Sequence, residues 1–237
     1  MIERSEGAHK GKPVRRQSRS VFDFDRRSLL LAAAAALILG TGVGRQGYAA
    51  DSSSQAAEAW LETFIAQGLS LLQDRTASPE QQSVQLRRLV DEYFALDATG
   101  RWILGRHWNQ ASEAEREEFL ALFKDFIVYG YVTRFSEYSG QRIQLVRSIE
   151  NGDGSVSVQS LVDRAGGGQP IEVQWRVSRG AGGTSRITDV VIENVSLSQT
   201  YRSEFGSSIQ QGGSVEKLNA MLRERVAQQK SELGIGN

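Results

Sequence analysis

Ile171-Glu-Val-Gln-Trp-Arg-Val-Ser178 alternates without a break, with Ile171, Val173, Trp175 and Val177 on one side of an extended chain and Glu172, Gln174, Arg176 and Ser178 on the other. A period of two marks a strand with one buried face. Working outward, Ile143 to Ser148, Val156 to Asp163 and Arg186 to Val195 read the same way. The connections Asn151-Gly152-Asp153-Gly154, Gly166-Gly167-Gly168 and Gly180 to Gly183 carry hairpin signals. Together they predict an antiparallel, four-stranded meander sheet with one apolar face.

Before Gly140 the apolar period lengthens to about 3.6. Trp60, Leu61, Phe64, Ile65, Leu69 and Leu72 form one helical stripe. Ser78-Pro79-Glu80-Gln81 combines an N-cap serine, a proline at the first helical position and a capping glutamine, and opens a helix toward Phe94. Asp97 is placed to cap a short helix carrying Trp102, Ile103 and Leu104. Ser112-Glu113-Ala114-Glu115 opens the longest helix, whose stripe runs from Phe119 through Phe123, Ile127, Tyr131 and Phe135 to Tyr138. After the strands, Tyr201, Phe205 and Ile209 mark one more helix, and Val215, Leu218 and Leu222 a last one. Helices, then strands, then helices define an α+β fold with helices packed on one sheet face.

At the other end of the chain, Arg26 and Arg27 precede Leu29 to Leu39, eleven residues of leucine, alanine and isoleucine alone. Crossing a bilayer takes about 20 apolar residues. The run fits instead the apolar core of an export signal, with Tyr48-Ala49-Ala50 as the cleavage site, and Arg26-Arg27 resembles the twin-arginine signature. The expectation is a signal peptide over 1–50 and one domain over 51–237 that works outside the cytoplasm.

Residues 51–237 carry 19 Lys+Arg and 24 Asp+Glu, a net charge of −5. A nucleic-acid surface shows a basic excess, so nucleic acid is not an expected partner. The sequence has no cysteine, which removes disulfides, thiolate metal sites and a thiol nucleophile together. His107 is the one histidine of residues 51–237 and has no second histidine for a zinc site. Glu113, Glu115, Glu117 and Glu118 complement a helix N-terminus. No catalytic constellation, metal site or cofactor motif is expected; the apolar faces of the two layers meet either as a plain core or around a cavity.

Tyr93-Phe-Ala-Leu-Asp-Ala-Thr-Gly-Arg-Trp-Ile-Leu-Gly-Arg-His-Trp108 and the following Ala111 to Phe119 resemble the MlaC, or toluene-tolerance, family of periplasmic lipid-transfer proteins. So do Glu137-Tyr-Ser-Gly140, Val190 to Leu197 and Tyr201-Arg-Ser-Glu-Phe205, in family order. His107 stands where that family usually has tyrosine. Asn194 replaces a usual glycine, a change that a left-handed backbone tolerates. The resemblance implies an NTF2-like α+β domain enclosing an apolar pocket for phospholipid acyl chains, with the headgroup near solvent and weakly discriminated. Its implied partners are an inner-membrane ABC transporter with an MCE-domain protein and an outer-membrane lipoprotein complex. The implied lipid wall takes Phe123, Ile127, Tyr131 and Phe135 from the long helix and Val158, Val173, Trp175, Val190 and Ile192 from the sheet. Trp102, Tyr201 and Phe205 complete it. A hopanoid is the alternative cargo, and a hydrolase using His107 the alternative activity.

Overall fold

The computed structural model describes residues 52–236; the expected export signal lies outside the described residues. Helices α1 (Ser52–Gln73), α2 (Pro79–Tyr93), α3 (Leu96–Leu104), α4 (Arg106–Gln110) and α5 (Glu113–Val132) precede the sheet. Strands β1 (Ile143–Glu150), β2 (Val156–Val162), β3 (Ile171–Arg179), β4 (Ser185–Ile192) and β5 (Val195–Ser196) follow, then helices α6 (Leu197–Gly212) and α7 (Val215–Glu232).

Both capping boxes form as the sequence predicts. Ser78 accepts from Gln81 N while the Gln81 side chain accepts from Ser78 N, and Ser112 with Glu115 repeats the arrangement. Asp97 does not cap α3: that helix starts two residues earlier, after Ala95, which leaves the Asp97 carboxylate in the first turn, where it complements the dipole. The stretch to Gln110 forms the separate short helix α4 after Gly105, whose φ of +53° breaks the run. The long helix also stops short of Tyr138. α5 ends at Val132, and a 3-10 turn over Phe135–Glu137 carries Phe135 back toward the sheet. Arg75 fixes that turn by donating to the Tyr138 carbonyl at 2.5 Å.

The strands pair in chain order, each antiparallel to the next. The expected fourth strand is two. Glu193 and Asn194 both have positive φ, +47° and +65°, so the chain reverses there in a tight hairpin and β5 pairs back onto β4. Asn194 tolerates this conformation; Glu193 is held in it by its carboxylate, which accepts from Glu172 N at 2.9 Å. In register, Val158 faces Trp175 and Trp175 faces Val190, while Val173 lies between Ser160 and Ile192. A bulge between Arg176 and Val177 leaves Thr188 without an opposite residue.

Packing divides into two clusters. One joins α1, α2 and the sheet, with Leu61, Phe64, Tyr93, Val158, Val173 and Trp175 among its members. The other is wholly helical and joins α3, α5, α6 and α7 through Ile103, Phe119, Phe123, Phe205, Leu218 and Leu222. α1 lies over β1 and β2, whereas α2, α3 and α6 reach β4.

Candidate functional site: an apolar cavity at the seam of two cores

A cavity of about 150 Å³ lies where these clusters meet. Phe64, Leu71 and Leu72 of α1 and Leu86 and Leu89 of α2 wall one side; Phe123, Ile127 and Tyr131 of α5 wall another. Val173, Trp175, Ile187, Val190 and Ile192 form the sheet side, and Phe135 and Tyr201 are among the other lining residues. Apolar cavities of this size stay dry in other proteins and accept hydrocarbon such as benzene.

Nine sequence-predicted wall residues line the cavity: Phe123, Ile127, Tyr131, Phe135, Val173, Trp175, Val190, Ile192 and Tyr201. Three lie elsewhere. Val158 is wholly buried on the same sheet face, where α1 packs on β2, and does not line the cavity. Phe205 is wholly buried in the helical core, with its ring centroid 6.0 Å from those of Phe119 and Phe123. Trp102 is 46% exposed, with the Arg202 guanidinium 4.5 Å over its ring. The α1 and α2 walls are absent from the sequence-predicted set, because helical periodicity reports that a face is covered and not by what.

The polar part of the lining is small. Asp189 already has three donors on its carboxylate: Val190 N at 2.9 Å, Ser198 N at 3.0 Å and Ser196 Oγ at 2.6 Å. Gln141 accepts from Ser139 N at 3.0 Å. Removal from water pushes the Tyr131 and Tyr201 hydroxyls up from the ordinary phenol range, partly opposed by the nearby charge of Arg134. Both rings keep some accessible surface, and they line the cavity. The indole of Trp175 is satisfied inside the core, donating to Ser160 Oγ at 3.0 Å.

Nothing in this lining pairs a nucleophile with a base. His107 does not line the cavity; it sits on α4 with its Nδ1 3.0 Å from Gln110 Oε1. Among the described residues no group of three or more His, Asp or Glu side chains is placed to hold a metal, and no helix is long and apolar enough to cross a membrane.

Fold and cavity together define a small-ligand binding domain of the α+β class, with an apolar site between a meander sheet and its covering helices. The family model described as MlaC protein matches residues 62–224, and the chain belongs to that family. It is 27% identical over 139 residues to the intermembrane phospholipid transport system binding protein MlaC of Haemophilus influenzae. That match spans 57% of this chain and 64% of the relative, so it leaves about a third of the relative's length unaligned. The fold is shared with a phospholipid-binding protein from Ralstonia solanacearum solved in complex with a phospholipid. The TM-score is 0.63 at 24% identity, covering 73% of this chain and 98% of that one.

Proposed function

We propose that this protein is a carrier that takes phospholipid acyl chains into the seam cavity and moves lipid through the periplasm. It would pass lipid between an outer-membrane lipoprotein complex and an inner-membrane ABC transporter with an MCE-domain protein. The observation that carries this reading is the apolar cavity itself, bounded by elements of both cores and free of acid–base pairs. Exposing acyl chain to water costs about 0.8 kcal/mol per CH₂, so a bare lipid with two long chains does not cross an aqueous compartment at a useful rate. A wall as dry as a bilayer makes the exchange nearly neutral, and no energy source need act on the carrier. The MlaC family and the phospholipid complex of the Ralstonia protein support the same reading.

The cavity of about 150 Å³ takes a single small apolar group as it stands. Loading therefore requires the α1–α2 side and the α5–α6 side to part along the seam, where the Arg87–Asp125 and Lys124–Asp91 ion pairs join α2 to α5. The role is one of binding and release. Purification from the periplasm followed by lipid extraction and mass spectrometry tests it. Copurifying glycerophospholipid is the expected result; a polycyclic lipid in its place changes the cargo, and absence of any lipid from a folded protein overturns the reading.

A further inference from the structure

Tyr131 and Tyr201 share the cavity with Arg134, which follows Tyr131 by one turn beyond the end of α5. A phenol withdrawn from water normally finds a hydrogen-bond partner. Tyr93 does, accepting from Gln67 Nε2 at 3.1 Å, and Tyr129 is hydrogen-bonded to Arg87. The Tyr131 and Tyr201 hydroxyls have no such partner among the described residues. Each is a donor facing a cavity whose walls are otherwise nearly all hydrocarbon. A cavity filled by acyl chain alone would leave both unsatisfied, at the cost that attends any buried donor without an acceptor.

Arg134 is near enough to both phenols for its charge to favour their ionised form, although at Tyr201 the Glu204 carboxylate opposes it. Its guanidinium lies 3.6 Å from Glu137 Oε1, and its side chain keeps 20% of its exposure, so this side of the cavity reaches water. Asp189, the one carboxylate in the lining, has three donors already and repels a second anion. Arg134 is the one cation in the lining that an anionic head entering the cavity can meet, and the two phenols line the same cavity.

We infer that Tyr131, Tyr201 and Arg134 form an oxyanion subsite that takes the phosphodiester or carboxylate of an acyl lipid. The inference rests on the carrier reading and deepens it. Because the phosphodiester is common to glycerophospholipids, the subsite separates charged from uncharged lipids without reading the headgroup alcohol.

The test uses the delipidated protein with three probes of matched chain length: dipalmitoyl phosphatidylglycerol, dipalmitoylglycerol and palmitate. Y131F, Y201F and their double variant remove the hydroxyls with the ring shape kept; R134Q removes the charge. Wild type should prefer phosphatidylglycerol to dipalmitoylglycerol. The double variant should lose on the order of tenfold or more for phosphatidylglycerol, the worth of a hydrogen bond to a charged group. Its binding of dipalmitoylglycerol should change by less than about twofold, and R134Q should follow the same pattern. A parallel loss for palmitate assigns the subsite to acyl oxyanions in general, and an unchanged palmitate affinity assigns it to the phosphodiester; either supports the inference. Equal loss for phosphatidylglycerol and dipalmitoylglycerol, or no loss for either, overturns it while the carrier reading stands. Failure of wild type to bind any of the three probes overturns the carrier reading as well.

Discussion

The two hydrophobic clusters are built from similar residues and do different work. In the helical one, the Phe119 and Phe123 rings stack at 5.8 Å with an interplanar angle of 4°, and Phe205 meets both edge-on. All three side chains are almost wholly buried. In the sheet-side cluster, Phe64 also touches several aromatic rings, with Trp175 5.6 Å away, and both line the cavity, as Phe123 does from the opposite wall while Phe119 and Phe205 do not. Close packing around Phe119 and Phe205 makes that interior rigid. Incomplete packing along the seam gives both clusters a wall that can recede. The lesson is that aromatic content does not locate a binding site; the boundary between two separately closed cores does.

The largest expected effect breaks the closed side. Phe205→Ala should cost about 3–5 kcal/mol, since a fully packed ring leaves a cavity that its neighbours cannot fill. Urea denaturation should show the loss as a lower midpoint at unchanged slope. Ile127→Ala, by contrast, truncates a half-buried side chain that already faces space, and should cost well under half as much. Equal costs would erase the distinction between the closed interior of the helical cluster and its cavity-facing rim.

A charge sharpens the comparison on the sheet itself. Val158→Glu places a carboxylate under α1 with no void to relax into, and should unfold the domain or cost several kcal/mol. Val190→Glu sits two strands away on the same face, half-buried against the cavity. That variant should keep a cooperative melt and lose copurified lipid. Circular dichroism and mass spectrometry on the pair decide it; unfolding of both would make the sheet face ordinary core throughout.

A smaller effect belongs to the caps. Ser112→Ala should cost about 1 kcal/mol through loss of the α5 capping box. Glu115 in that box has its carboxylate held below its ordinary range, chiefly by the hydrogen bond from Ser112 N. A depressed carboxylate stabilises the fold above its unfolded value near 4.5 and loses that contribution as pH falls through the lower folded value. Wild type should therefore lose part of its margin over Ser112→Ala in melts taken progressively below pH 4.5.

Much of this architecture is legible in the sequence because it is local. Two four-residue capping boxes, the alternation of Ile171 to Val177 and the glycine turns state their geometry within a few residues. The sequence marks Asn194 as a left-handed position but reads Arg186 to Val195 as one strand, because the positive φ of Glu193 depends on a distant partner, the Glu172 backbone. The cavity lining is non-local in the same sense. Val158 and Trp175 are register neighbours and both are almost wholly buried, yet only Trp175 lines the cavity, because α1 packs chiefly over β1 and β2. Phe205 and Tyr201 share a helix face one turn apart, and the closed core claims the first while the seam takes the second. No periodicity carries that information, since both positions are simply covered.

Volume gives the seam a further consequence. Apolar space that water does not fill is volume the system can shed, and pressure favours whichever state has shed it. The cavity of about 150 Å³ corresponds to on the order of 100 mL/mol, the upper end of what unfolding usually releases. Hydrostatic compression should therefore act on the empty carrier first at the seam, driving water between the two clusters before either core yields. A lipid-filled molecule has no such volume to give up, so loading should be readable as resistance to pressure.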